Sequence, residues 1–279
     1  MKRLLSIELQ KIWKNRASRI LTISYFVLLT FIALIASIKF NIGSFKVHFA
    51  EMGIFNFPYI WHFNTYIAAI IKLFLAIVIV SMMANEYSYG TLKQNLIDGM
   101  SKKEFILSKF LTVLTFAGIS TLFIFVISMI LGLMFSSYTE IDIILSDMGY
   151  LVAYFIKLTA FFSFCLFLGI LVKRSAFAIG FLFVWNIFEG IVHGVLRFKV
   201  FPKSDTASSI TQFLPLESMA NLIKEPFTRL SVVRNVEAAI GGANSLKDYS
   251  VQWGAVAIAV GWTVIFVLSS YKLLKKRDL

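Results

Sequence analysis

Six long uninterrupted apolar stretches constrain this sequence more than any other feature. Crossing the hydrocarbon core of a bilayer as a helix takes about 20 apolar residues, and each stretch is about that long. Lipid cannot hydrogen-bond free backbone groups, so a spanning segment must be a helix or part of a closed barrel. Continuous rather than alternating hydrophobicity favours helices. We therefore predict an all-α integral membrane protein with six transmembrane helices, at Ile20–Ile38, Tyr66–Ala84, Phe110–Phe135, Tyr150–Val172, Ala176–Leu196 and Val251–Tyr271.

The composition agrees with a membrane location. Of 279 residues, 58% are apolar and 15% are charged, whereas about 25% are charged in ordinary soluble domains. The single cysteine, Cys165, lies inside the fourth stretch, which excludes an intrachain disulfide and a cysteine-based zinc site. We expect residues 1–279 to form one transmembrane domain.

The distribution of basic residues predicts the orientation. The net charge is +12, and 16 of the 27 Lys and Arg residues lie in segments 1–19, 85–109, 173–175 and 272–279. The positive-inside rule then places both termini in the cytoplasm. Six spans agree with this, because an even number of crossings returns the chain to the side on which it began. We expect a multi-pass protein of the cell inner membrane whose basic residues contact lipid headgroups. Because topology accounts for the positive charge, we expect no nucleic-acid partner.

The leader, residues 1–19, has apolar residues at helical spacing, namely Leu5, Leu9, Ile12 and Trp13, among basic ones. This pattern predicts an amphipathic helix in the inner headgroup layer, an "elbow" before the chain enters the membrane. The alternative is a basic topogenic tail with no fixed shape.

The cytoplasmic stretch 85–109 is the most informative segment. Its residues predict two short helices that meet at a turn. Gly99 can adopt a positive φ and end the first helix. Ser101 and Glu104 have the spacing of a capping box, which would start the second.

On the first of these helices, an apolar edge of Leu92, Leu96 and Ile97 is expected beside polar residues. A short helix of this kind is suited to docking another protein. A solvated connector between two spans is the alternative, and the residues alone do not choose between them.

The pattern Glu86-x3-Gly90-Thr91-Leu92-x3-Leu96, followed by Ser101-Lys102-x-Glu104 and Lys109, resembles the cytoplasmic loop of type-2 ABC exporter permeases. The resemblance extends to the whole plan, with an elbow helix, six spans, short inner loops and a long outer loop before the last span. One departure is that the turn has Gly99-Met100, where members often have a proline.

The resemblance implies a permease subunit that pairs with a second permease and rests on a separate ATP-hydrolysing subunit. Helix 85–98 would be the coupling helix that contacts the ATPase. No G-x-x-x-x-G-K-[ST] phosphate loop occurs, so ATP and Mg²⁺ would bind the partner, and this chain would carry no cofactor and not be an enzyme by itself. The implied contact residues are Glu86, Tyr87, Gly90, Thr91, Gln94, Asn95 and Asp98. Nothing in the sequence selects the exported substrate.

The outer loop, residues 197–250, contains a short amphipathic pattern from Leu214 to Ile223. Pro215 favours a helix start there, because proline is preferred in the first helical turn. The resemblance implies short helices that dip into the outer leaflet and cap the pathway. A partly ordered surface loop is the alternative.

Four ionisable residues lie within the predicted spans: Lys72, Lys157, Glu189 and His193. Such residues are costly in lipid and are usually functional. We weigh three interpretations: a structural pair of Glu189 with Lys72 or Lys157, isolated residues that snorkel or are wetted, and contact with substrate.

Two other classes of protein remain open. Glu189 and His193 are one helical turn apart, a spacing that could serve an intramembrane hydrolase. An ATPase-independent carrier or channel is the other alternative.

Overall fold

The computed structural model describes residues 2–37, 40–42, 45–47, 53–202, 206–229 and 248–277. Within these ranges the fold is helical, with one small antiparallel hairpin that pairs Phe40 with Val47. The elements in chain order are α1 (Lys2–Lys14), α2 (Arg16–Ser37), β1 (Phe40–Ile42), β2 (Phe45–Val47), α3 (Tyr59–Ile71), α4 (Leu73–Ser88), α5 (Thr91–Ile97), α6 (Lys102–Phe135), α7 (Ile141–Leu145), α8 (Gly149–Val172), α9 (Ser175–Val195), a π-helical turn (Leu196–Val200), α10 (Thr206–Thr211), α11 (Pro215–Ala220), a 3-10 turn (Phe227–Arg229) and α12 (Trp253–Lys275).

Five to six of these elements could cross a membrane. Helices α2, α6, α8, α9 and α12 are each long and apolar enough, and α3 with α4 forms a sixth span if a bent pair is counted as one. The all-α membrane fold is therefore confirmed at this level. The predicted boundaries lie within about four residues of the observed ones for four of the six spans, because those apolar runs are nearly as long as their helices.

The expectation of a continuous second span over Tyr66–Ala84 is wrong. Helices α3 and α4 meet at Lys72 with a bend of 44°. At Lys72, φ is −51° and ψ is −20°, which is the tighter 3-10 geometry and interrupts the regular α-helical hydrogen-bond ladder. All four prolines lie outside this segment, so the break could not be predicted from hydropathy or from the position of a proline.

Helix α8 is the central helix of the bundle. It packs against α3, α4, α6, α9 and α12, and 72% of its most apolar stretch is buried. Gly169 allows the close approach of α4, since a Cβ there would lie 2.9 Å from Cβ of Met83. By contrast, only 11% of the most apolar stretch of α2 and 17% of that of α9 are buried. Their outer faces are apolar, as expected for surfaces covered by lipid or by another membrane subunit.

One end of the bundle, here called the basic end, gathers α1, α5, the start of α6, the α8–α9 link and the last turn of α12. Arg277, just after α12, joins several of these pieces. Its guanidinium donates to the carbonyl oxygens of Ile170 and Leu171 at the end of α8. It also donates to the hydroxyl of Tyr87 at 3.0 Å.

Two local predictions at the basic end are confirmed. The leader forms an amphipathic helix, α1, which turns at Asn15 into α2. The capping box is also present: Ser101 Oγ accepts from the Glu104 backbone N–H at 3.2 Å, and a Glu104 carboxylate oxygen accepts from the Ser101 N–H at 2.9 Å.

The opposite end carries α7, α10, α11 and the 3-10 turn. Trp61 Nε1 donates to the carbonyl of Ile144 at 2.8 Å, which fastens α7 to α3. The helix expected after Leu214 is present as α11, with Pro215 in its first turn. Of the predicted outer loop 197–250, residues 203–205 and 230–247 lie outside the described residues.

Candidate functional sites

Four charged side chains from three helices meet at the basic end. Lys109 Nζ donates to Glu8 Oε2 and to Glu86 Oε1, both at 2.6 Å. Lys11 Nζ donates to the same Glu86 oxygen at 2.9 Å and lies 3.6 Å from Glu8. We call these residues, Glu8, Lys11, Glu86 and Lys109, the four-charge cluster. It joins α1, α4 and α6.

The cluster is nearly closed to solvent. Glu8, Glu86 and Lys109 are buried, and only the side chain of Lys11 is partly exposed. Burial alone would lower the pKa of Lys11, but the hydrogen bond and charge of Glu86, together with Glu8, outweigh it and raise that pKa. Two cations thus neutralise two carboxylates, which is the condition for keeping such charges away from water.

Glu86, one of the residues that the resemblance implies at the ATPase contact, has its bonding partners within the chain. Glu86 lies in the last turn of α4 rather than on a free coupling helix, and its carboxylate is buried in the four-charge cluster. Its second oxygen accepts from Thr91 Oγ1 at 2.5 Å and from Asn95 Nδ2 at 3.4 Å. Glu86 therefore positions α5 from within the chain.

The predicted single helix over 85–98 is two pieces. Helix α4 ends at Ser88, and α5 begins at Thr91 after Gly90, whose φ is +68°. Residues with a side chain rarely adopt this left-handed conformation, so Gly90 serves the turn. Apart from its chain neighbours, no described residue has an atom within 4 Å of where its Cβ would be, so Gly90 is needed here for the turn rather than for close packing.

The polar residues predicted to contact a partner divide into two groups. Gln94 and Asp98 are exposed, as is Gly90. Thr91 and Asn95 are half-buried and bond to Glu86.

Tyr87 belongs with the inward-facing group. It is half-buried between two cations at the basic end. Lys173 Nζ lies 5.7 Å from the centre of its ring, and the Arg277 guanidinium lies 5.8 Å from it.

Two large apolar side chains at α5 are exposed: Ile97, which belongs to the predicted apolar edge, and Tyr89, which the predicted contact residues do not include. The side chain of Ile97 is 84% exposed and that of Tyr89 is 73% exposed. The predicted apolar edge divides in the structure: Leu92 is buried, whereas Ile97, at the end of α5, is exposed. A sequence signal for Tyr89 existed, namely an aromatic residue in a polar turn.

The pairing of Glu189 with Lys72 or Lys157 does not occur. Glu189 Oε1 accepts from Trp185 Nε1 at 2.6 Å and from the Leu216 N–H at 3.1 Å. Its Oε2 accepts from the Glu217 N–H at 2.9 Å. Leu216 and Glu217 are in the first turn of α11, so the carboxylate caps this helix from a neighbouring span.

Lys157 binds the other end of the same helix. Its Nζ donates to the carbonyl oxygens of Ala220 and Ile223, at 3.3 and 3.5 Å. An anion at the N-terminus and a cation at the C-terminus both complement the helix dipole of α11. The buried charges on α8 and α9 thus hold the helix that closes the opposite end.

The two remaining intramembrane residues have separate contacts. His193 Nδ1 lies 2.9 Å from Thr211 Oγ1, which ties α9 to α10. Lys72 Nζ lies 4.7 Å from the centre of the Phe161 ring. Lys72 and Lys157 also line one cavity of about 360 Å³. Glu189 and His193, the hydrolase pair considered above, therefore bind different helices of the opposite end.

Comparison with known proteins places the chain in a family. The family described as "Protein of unknown function (DUF2705)" matches residues 26–279. The chain is also 24% identical over 226 residues to "Uncharacterized protein YhcI" of Bacillus subtilis (strain 168), covering 74% of this chain and 64% of that protein. It thus spans less than two thirds of that relative's length. Since the family match covers most of the sequence, the chain belongs to the DUF2705 family.

Proposed function

We propose that this chain is the permease subunit of an ATP-driven exporter. It would work by alternating access, with a second permease subunit and with a separate ATPase that binds ATP and Mg²⁺. The observation that carries the proposal is the arrangement of α5, which presents apolar side chains outward while being fixed to the spans behind it.

The outward side of α5 is suited to a protein partner. Ile97 and Tyr89 are large and exposed, and they lie outside the helices that are long and apolar enough to cross the membrane on their own. Aromatic residues are enriched in protein interfaces, where a few buried apolar anchors supply most of the binding energy. Gln94 and Asp98 beside them would form the polar rim. We assign these four side chains and Gly90 to the ATPase contact.

The inward side of α5 is suited to transmit a displacement. Thr91 and Asn95 bond to Glu86, and Glu86 bonds to Lys109 of α6 and Lys11 of α1. Movement of α5 would therefore act on two spans and the leader helix together. A chain of buried ion pairs between rigid helices is one physical route for such coupling.

The basic end is the cytoplasmic end in this proposal. The excess of Lys and Arg there supports this orientation by the positive-inside rule. Helix α1, which is amphipathic, would then lie at the inner headgroup layer, as expected for an elbow helix. The weakly buried faces of α2 and α9 offer surface for a second permease subunit.

The test compares two isoleucines at opposite ends of the bundle. The chain is expressed with a tag in its native host, and the proteins that co-purify with it are assayed for ATP hydrolysis. We expect the unaltered chain to retain an ATP-hydrolysing partner. Ile97→Arg should lose it, because a charge would be buried in the contact. Ile141→Arg, at an equally exposed position on α7, should not.

Loss of the ATPase in both variants would indicate misfolding, which size-exclusion chromatography of the permease alone would reveal. Retention of the ATPase in Ile97→Arg would refute the assignment of α5. A purified chain that transports without any ATPase would instead support an ATPase-independent carrier or channel.

A further inference from the structure

A cavity of about 360 Å³ opens between α3, α4 and α9. Helix α8 lines its inner wall, and α11 covers it from the opposite end of the bundle. Its volume lies within the range of about 300–1,000 Å³ that is usual for ligand pockets. The side chains of Ile70 and Phe183, both exposed on the bundle surface, flank the opening.

The cavity is lined by two lysines and, among the described residues that line it, no carboxylate. Within the described ranges, the hydrogen bonds of Lys157 are to neutral carbonyl oxygens, at 3.3 and 3.5 Å. Lys72 lies over the Phe161 ring and has no ion pair in the described part of the chain. Glu189 is occupied by Trp185 and two backbone amides. Unneutralised ammonium groups within a membrane span are costly, so this arrangement favours binding of an anion.

Lys72 lies at the bend between α3 and α4, six residues after the predicted start of the span at Tyr66. It follows the 13-residue helix α3, which is about 20 Å long at the usual rise per residue. Counted from Tyr66, Lys72 lies about 9 Å into a hydrocarbon core of about 30 Å. An anion that reaches Lys72 must therefore enter the bundle itself.

The remaining lining is mostly apolar, with Leu182, Met219 and Ile223 among the wall residues. Asn186 adds one amide. A ligand with a small anionic head and an apolar chain would satisfy both parts of the cavity. The head would lie near the two ammonium groups and the chain would leave between Ile70 and Phe183.

We propose that this cavity binds an anionic amphiphile, a molecule with a phosphate or carboxylate head and an alkyl chain. The site is separate from the α5 contact, and its occupancy requires no ATPase. It can therefore be tested independently of the proposed transport function.

The experiment measures binding of dodecyl phosphate to the full chain in a neutral maltoside detergent, by native mass spectrometry and by thermal-shift titration. We expect saturable binding of one molecule per chain. Lys72→Met should weaken it at least tenfold, whereas Lys72→Arg should retain it. The matched control is Lys199→Met, since Lys199 is an exposed lysine outside the cavity. Lys157→Met is a second variant, but it also removes hydrogen bonds to α11.

Three results would overturn the proposal: equal binding of zwitterionic dodecylphosphocholine, unchanged binding in Lys72→Met, or equally tight binding of inorganic phosphate alone. A further arm identifies the source of the amphiphile. If phosphatidylglycerol in nanodiscs displaces dodecyl phosphate in a Lys72-dependent manner, the ligand is a membrane phospholipid. If it does not, the site selects a single-chain amphiphile. Either of these two results supports an anionic amphiphile site.

Discussion

Glu189 and Lys157 hold opposite ends of the same short helix without bonding to each other. Glu189 accepts from two backbone amides in the first turn of α11. Lys157 donates to the carbonyl of Ala220, the last residue of α11, and to that of Ile223 just beyond it. A helix of six residues is too short to be stable alone. Its position depends on these two side chains from the membrane spans.

Glu189→Gln should destabilise the protein, although the glutamine side chain has nearly the same shape as that of glutamate. The glutamine amide group would face a backbone N–H in place of an acceptor oxygen, which leaves a buried donor unsatisfied. The usual cost is about 1–3 kcal/mol. Thermal unfolding in detergent would measure it. Asp142→Asn on the exposed part of α7 is the control and should change little. An unaltered melting temperature in Glu189→Gln would contradict the capping role.

Lys109→Met should be among the most damaging substitutions at the basic end. It leaves Glu8 and Glu86 buried with only Lys11 to neutralise them, and breaking a buried pair in this way costs about 3–5 kcal/mol. Adding Glu86→Gln restores a balanced charge, so the double variant should be more stable than the sum of the single effects predicts. The measurement is a double-mutant cycle on thermal stability.

The control is Lys103→Met, which removes an exposed lysine from α6, the helix that carries Lys109. It measures the effect of losing a lysine near the headgroups. Strict additivity of Lys109→Met and Glu86→Gln would show that the four-charge cluster does not act as a unit.

Gly90→Ala should shift the position of α5, because φ at this residue is +68°. An L-residue in the left-handed region costs about 1–2 kcal/mol. Gly180→Ala is the matched control, since Gly180 lies inside α9 with no atom within 4 Å of its added Cβ. Alanine is the better helix former there. We expect opposite signs for the two changes in melting temperature, and equal signs would argue against strain at Gly90.

Single cysteines test the orientation. In a Cys165→Ser background, Ser137→Cys and Ser208→Cys should react with membrane-impermeant thiol reagents added to intact cells. Ser101→Cys and Ser175→Cys should react only after the membrane is opened. Ser101 is at the basic end beside α5, so its labelling from outside would refute both the orientation and the ATPase contact.

The spans could be predicted because their signal is local. A bilayer demands a run of about 20 apolar residues, and each run can be found in the sequence without knowing its neighbours. The capping box at Ser101 and Glu104 and the start of α11 at Pro215 were predictable for the same reason, since the partners lie within one helical turn.

The side-chain contacts that define the sites could not be predicted this way. Lys109 and Glu8 are 101 positions apart, and nothing near Lys109 in the sequence marks its distant carboxylates. Glu189 presented a different difficulty. Its partners include backbone amides, which every residue but proline carries, so a search for an oppositely charged side chain led to the wrong pairing.

The contact of Arg277 with the end of α8 has a consequence for biogenesis. Arg277 follows Ile170 by 107 positions, and α9, α10, α11 and α12 all lie between them. During synthesis, α8 must therefore be inserted before the residue that covers its last carbonyls exists. The basic end acquires its final arrangement only when α12 has been placed beside α8, and a quality-control protease would find the ends of α4 and α8 open until that moment.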